Sequence, residues 1–101
     1  MLDKSDKKIL IEDLIYEVIE NHNNLNPKDL HLKKSTETIL AGNDGGLDSL
    51  GLINFLVEVE SNLQKNLKND ISIIDEALLV NADGPYKNIK TLIEFILSKI
   101  G

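Results

Sequence analysis

Ser49, flanked by Asp48 and preceded by Asp44, is the position in this chain where chemistry is most readily placed. A serine hydroxyl becomes a nucleophile when an adjacent base, oriented by a third group, takes its proton. The sequence supplies no clear base for that task. The nucleophile-elbow pattern G-x-S-x-G is met at Gly51 but has Leu47 in its first glycine position. Calcium binding through Asn43, Asp44 and Asp48 fails as well, because the residue in the twelfth place counted from Asn43 or Asp44 is Asn54 or Phe55 rather than glutamate. His22 and His31 match no metal-ligand spacing and read as surface or helix-end residues. The chain has no cysteine, which removes thiolate nucleophiles, disulfides and thiolate metal sites. These patterns leave Ser49 without a catalytic or metal-binding role of its own.

The elements around Ser49 explain how it is presented. Gly42 to Gly46 is rich in glycine, asparagine and aspartate, residues that favour turns, so a loop is expected there. Asp48 is a good N-cap whose carboxylate can accept the N–H of Leu50 or Gly51, and this puts Ser49 on the first turn of a helix running to about Lys68. Ile53, Leu56, Leu63 and Leu67 form its expected core stripe, with Leu52 and Val59 at the edge. Leu50, Asn54, Val57 and Ser61 make a second stripe with Glu58 beside it, either a docking surface or the rim of a small core.

A first helix is expected from about Ser5 to Asn21, with Ile9, Leu10, Leu14, Ile15, Val18 and Ile19 at three- and four-residue spacings and Ile11 and Tyr16 outside the tightest stripe. The asparagines after it and Pro27 supply the stop. From Lys28 to Gly46 the pattern is a long connection with room for a short helical turn, pinned by Leu30, Leu32, Ile39 and Leu40. Ile71 to Ile74 reads as an extended connector into a short helix, Glu76 to Leu79, capped by Asp75. A second loop, Val80 to Lys87, follows, with Tyr86 as its anchor against the core. Asn88 caps a last helix whose buried face is Ile89, Leu92, Ile93, Ile96, Leu97 and Ile100. The fold class is all-α: a four-helix bundle with three main helices, a short third helix and long connecting loops.

With 101 residues the chain is one domain, 1–101, with a single modest core. A hydrophobic fraction of 42% against 28% charged residues fits a soluble globular chain, and 4% aromatics means an aliphatic core. The net charge of −6 argues against nucleic acid, whose binding requires a basic surface, and favours basic protein partners. Met1 to Lys8 is charged and no run has membrane-spanning length, so neither a signal peptide nor membrane insertion is expected and a cytoplasmic location is the default.

Leu47-Asp48-Ser49-Leu50 at the head of a central helix, inside this order of helices and loops, resembles the acyl carrier proteins. The resemblance covers nearly the whole chain. It implies an acyl-carrier-like bundle that is not an enzyme and is expected to be monomeric. Ser49 would be the attachment point of a covalent 4′-phosphopantetheine, added from coenzyme A by a separate phosphopantetheinyl transferase. Asp48 would help hold Mg²⁺ transiently in that complex. Acyl intermediates would travel as thioesters to acyl-loading and acyl-processing enzymes with basic docking patches. By position, Asp44, Asp48, Leu50, Val57, Glu58 and Glu60 take the partner-facing role, with Asn54 on the same stripe. Many fatty-acid-synthesis carriers have an acidic residue soon after the motif where this chain has Gly51 and Asn54, which points to a specialised acyl, lipid or secondary-metabolite pathway. An aminoacyl or D-alanyl carrier would share the arm and differ in cargo. A small acidic helical adaptor, with Ser49 only a helix-start residue, is the competing class. Ile53, Leu56, Ile73, Ile74 and Ile93 are candidate lining for a sheltered acyl chain.

Overall fold

Twenty-two residues of continuous helix, α1 (Lys4–Leu25), form the surface against which the other long helices are laid. In the computed structural model the described residues are 4–40, 47–67, 70–79 and 84–100; the side chains of Lys4, Leu30 and Ser49 lie outside that description. Ile11, Leu14, Ile15, Val18 and Ile19 recur along α1 at three- and four-residue spacings and are all buried. The stripe is displaced from the one expected: Ile11 is fully buried, whereas Ile9 is 59% exposed. Counting back from Val18 and Ile19 by helical steps reaches Leu14, Ile15 and Ile11 and passes over Ile9.

α1 also runs one turn beyond its expected end at Asn21. The asparagines there do not stop it, because their side chains are used elsewhere. Asn23 grips the following loop with both ends of its amide, accepting from Leu32 N–H at 2.8 Å and donating to Leu32 C=O at 2.9 Å. Asn26 donates to the His22 carbonyl at 2.7 Å. The stop comes from Pro27, which drives Asn26 out of helical conformation. A single tight turn, Lys28–Leu30, follows, and Leu32 and Leu40 are buried while Ile39 is not.

The second long helix, α2 (Ser49–Leu67), and the last, α4 (Ile89–Ile100), both pack on α1. The buried face of α2 is Leu52, Phe55, Leu56, Val59 and Leu63. Ile53, expected in the core, is 36% exposed, Leu67 is only partly buried, and Phe55 takes the central place. The short helix α3 (Glu76–Leu79) has the expected bounds, and Asp75 Oδ1 accepts the Ala77 N–H at 2.9 Å as its cap. On α4, Ile89, Leu92, Ile93 and Ile96 are buried, with Leu97 and Ile100 partly so. One hydrophobic cluster joins all of these faces. Among the described residues the secondary structure is helical apart from one antiparallel bridge, Ile39 to Asn88, and no helix is long and apolar enough to cross a membrane.

That bridge shows how the long first connection is fixed. Leu40 N–H donates to Lys87 C=O at 2.8 Å, and the carbonyls of Thr38 and Thr36 accept from Ile89 and Lys90 at 3.1 and 2.9 Å. These are free donors of the first turn of α4. The third is met by Asn88 Oδ1, which accepts from Thr91 N–H at 2.8 Å while Thr91 Oγ1 accepts from Asn88 N–H at 3.1 Å. This is a reciprocal cap of the capping-box type. The loop and the helix end thus satisfy each other.

Tyr86 anchors the second loop, as expected: it is buried and its ring meets Phe95 of α4 edge-on, centroids 5.9 Å apart. Its hydroxyl donates to Ile73 C=O and accepts the Asp75 N–H at 3.0 Å. Burial is the main cause that pushes the Tyr86 phenol above the ordinary tyrosine range, offset in part by the Asp75 N–H. The fold therefore prefers the protonated phenol, and its contribution is full below about pH 10 and lost as pH rises through the raised value.

Two predictions come from this packing. Phe55→Ala should cost about 3–5 kcal/mol and Ile53→Ala less than about 1 kcal/mol in urea unfolding; equal costs would restore Ile53 to the core. Between about pH 9 and pH 11 the wild-type urea midpoint should fall more steeply than that of Tyr86→Phe, and parallel curves would show that the phenol is not linked to folding.

Candidate functional site

The N-terminus of α2 is built on one side chain. Asp48 Oδ1 accepts the Gly51 N–H at 2.7 Å, and Asp48 C=O accepts the Leu52 N–H at 2.8 Å, which closes the first turn. Asp48 is thus the N-cap and Ser49 the first helical residue, as the sequence indicates. A Cβ at Gly51 would stand 3.0 Å from Asp48 Oδ1, so a side chain there would press on the capping carboxylate. The glycine lets the carboxylate fold over the helix end. Asp48 is exposed, and with Oδ1 in the cap its Oδ2 has no partner among the described residues.

Beyond the cap an apolar stripe faces outward. Leu50 is 67% exposed, Val57 50% and Ile53 36%, and the exposed Asn54 and Ser61 lie beside them. From Leu50 to Val57 the stripe spans roughly 10 Å along the axis at 1.5 Å per residue. Of the two readings of Leu50 and Val57, rim of the core or outward surface, the geometry selects the outward surface. Ile53 joins them, a member that sequence reasoning placed inside. The signal for the right assignment was present: Leu52, Phe55, Leu56, Val59 and Leu63 follow helical spacing, whereas the row through Ile53 and Leu56 meets Glu60 before Leu63.

The two glutamates of the candidate surface are turned to other tasks. Glu58 Oε1 accepts from Asn21 Nδ2 of α1 at 3.2 Å. Glu60 Oε2 accepts the Ile73 N–H at 2.9 Å, which ties α2 to the connector before α3. Asp48, Leu50, Asn54 and Val57 are all exposed near the start of α2, Glu58 leans to α1, Glu60 leans to the connector, and Asp44 lies outside the described residues.

Between the end of α1 and the start of α2 lies an open groove of about 230 Å³, lined by His22, Leu25 and Asn26 on one side and by Gly51, Asn54, Phe55 and Glu58 on the other. Both histidines engage Asn26. His22 Nδ1 is 3.3 Å from its Nδ2, and His31 Nε2 donates to its carbonyl at 2.9 Å. Leu25, in the groove's lining, is 84% exposed.

Asp48→Ala should cost about 1 kcal/mol in urea unfolding, whereas Asp48→Asn, which keeps an oxygen for the Gly51 N–H, should stay within a few tenths of wild type. Equal losses for both would mean that charge rather than capping matters.

Compared with protein-family models, with curated proteins and with solved structures, the chain matches none.

Proposed function

We propose that this chain is a carrier of the acyl-carrier type, with Ser49 as the attachment point for 4′-phosphopantetheine. The observation that carries the reading is the placement of Ser49 as the first residue of a helix capped by Asp48, from which an exposed apolar stripe runs outward through Leu50, Ile53 and Val57. The residues fit the group. A helix N-terminus favours the phosphodiester charge, and Asp48 Oδ2, left over from the cap, is the oxygen available to a Mg²⁺ in the transferase complex. The group supplies, when bound, the thiol that a chain without cysteine lacks, and an acyl cargo is held there as a thioester.

The chain's own residues do the rest. Asp48 holds the helix start in place so that the backbone at Ser49 is presented in one orientation. Leu50 and Val57 give a visiting enzyme an apolar contact beside the attachment point, and Asp48 gives its basic patch a charge. Tethering raises the local concentration of cargo at the partner, so weak docking is enough. Leu56, Ile73 and Ile93 are buried and Ile74 partly so, which leaves them as candidate lining for a nonpolar cargo; Ile53 lies outside that set. The specialised-pathway and cytoplasmic assignments belong to this same proposal.

The exposed stripe also favours a second reading, an adaptor that binds a partner through Leu50, Ile53 and Val57 and has no use for the Ser49 hydroxyl. Intact mass separates the two. After incubation with coenzyme A, Mg²⁺ and a broad-specificity phosphopantetheinyl transferase, the carrier gains one phosphopantetheine and Ser49→Ala gains none. No gain on folded wild-type protein across several transferases would move the assignment to the adaptor.

A further inference from the structure

Residues 71–79 are attached to the rest of the molecule in an unusual way. Among the described residues, the main-chain hydrogen bonds of this segment are internal, from Leu78 and Leu79 N–H to Asp75 C=O. The hydrogen bonds between described residues that tie it to the body come from side chains on other elements. Gln64 Nε2 donates to Ile71 C=O at 3.1 Å, Glu60 Oε2 accepts from Ile73 N–H at 2.9 Å, and the Tyr86 hydroxyl bridges Ile73 C=O and Asp75 N–H. Its apolar anchors are Ile71 and Ile73, both buried, and Ile74, Leu78 and Leu79, which pack partly buried against the core, while α3 itself buries no residue fully.

The two sides of these bonds differ in what holds them. Glu60 and Gln64 sit one turn apart on α2. The Tyr86 ring is fixed separately, by its burial and its edge-on contact with Phe95 of α4. Among the described residues, the segment can therefore leave without breaking a main-chain bond of α1, α2 or α4. Opening would expose Ile71 and Ile73, uncover the partly buried Ile74, Leu78 and Leu79, and release four side-chain hydrogen bonds, less than global unfolding, which is the condition for a separate local opening.

We propose that residues 71–79 are a strap that lifts from the core as one unit while α1, α2 and α4 stay folded, with the Tyr86 hydroxyl as its latch. That hydroxyl donates to one strap group and accepts from another, and among the described residues makes no hydrogen bond to its own side of the joint.

Amide hydrogen exchange by NMR on the unmodified full chain tests the latch independently of any carrier role. In Tyr86→Phe, which keeps the ring, the amides of Ile73 and Asp75 should exchange about ten- to thirty-fold faster, the equivalent of two lost hydrogen bonds. The amides of Ile15, Leu56 and Ile93 should keep their wild-type rates. Glu60→Ala should reproduce the pattern at Ile73. Uniform acceleration of all these amides, or no change at Ile73 and Asp75, overturns the strap.

Discussion

Burial of the apolar stripe of α1 is the interaction on which the remaining structure depends. Ile11, Leu14, Ile15, Val18 and Ile19 cover both α2 and α4, and at roughly 1.5–3 kcal/mol for each fully buried aliphatic side chain this is the major cohesive surface available to so small a chain. Its consequence reaches the site. Because α1 fixes which face of α2 turns inward, through Leu52, Phe55, Leu56, Val59 and Leu63, it also fixes that Leu50, Ile53 and Val57 turn outward beside the capped start of the helix. The outward stripe is the remainder of a packing decision made on the opposite face.

The second constraint is polar. Two long connections leave backbone groups without a regular ladder, and each buried group must find a partner. The chain answers with side chains and helix ends. Asn23 holds Leu32 as a strand neighbour would, the carbonyls of Thr36 and Thr38 close the N-terminus of α4, and Glu60, Gln64 and Tyr86 hold the connector. Among the described residues no buried side-chain polar atom is left without a partner. The result is two joints of different strength. The first connection is sewn to α4 through main chain, whereas among the described residues the hydrogen bonds that hold the connector before α3 to the body come from side chains.

Much of this was legible in the sequence where the governing chemistry is local. Asp48, Asp75 and Asn88 announce helix starts because capping involves a side chain and a backbone only two or three residues away, and all three caps form. Long periodic runs gave α1, α2 and α4, while the turn-rich runs 42–46 and 80–83 lie outside the described residues. The failures share a cause in tertiary context. α2 carries apolar residues on two faces, and the choice between Ile53 and Phe55 depends on where α1 lies. The asparagines after Asn21 read as a stop until Asn23 finds Leu32 nine residues on. Glu60 read as a surface carboxylate because nothing local reveals the Ile73 N–H thirteen residues away. Ser49 is legible only as a position: its residue type and its place at the helix start come from sequence and backbone, and its use is a matter of chemistry done to it.

In the carrier account α1 sets the orientation of α2, Asp48 sets its first turn, and the chain without a thiol of its own presents one hydroxyl for modification. The most direct measurement is the mass of the tryptic fragment from Ser35 to Lys65, cut from protein purified out of the cells that make it. The account predicts a phosphopantetheine on that fragment, located at Ser49 by fragmentation; a fragment carrying only bare Ser49 from cells in which the chain is active would contradict it.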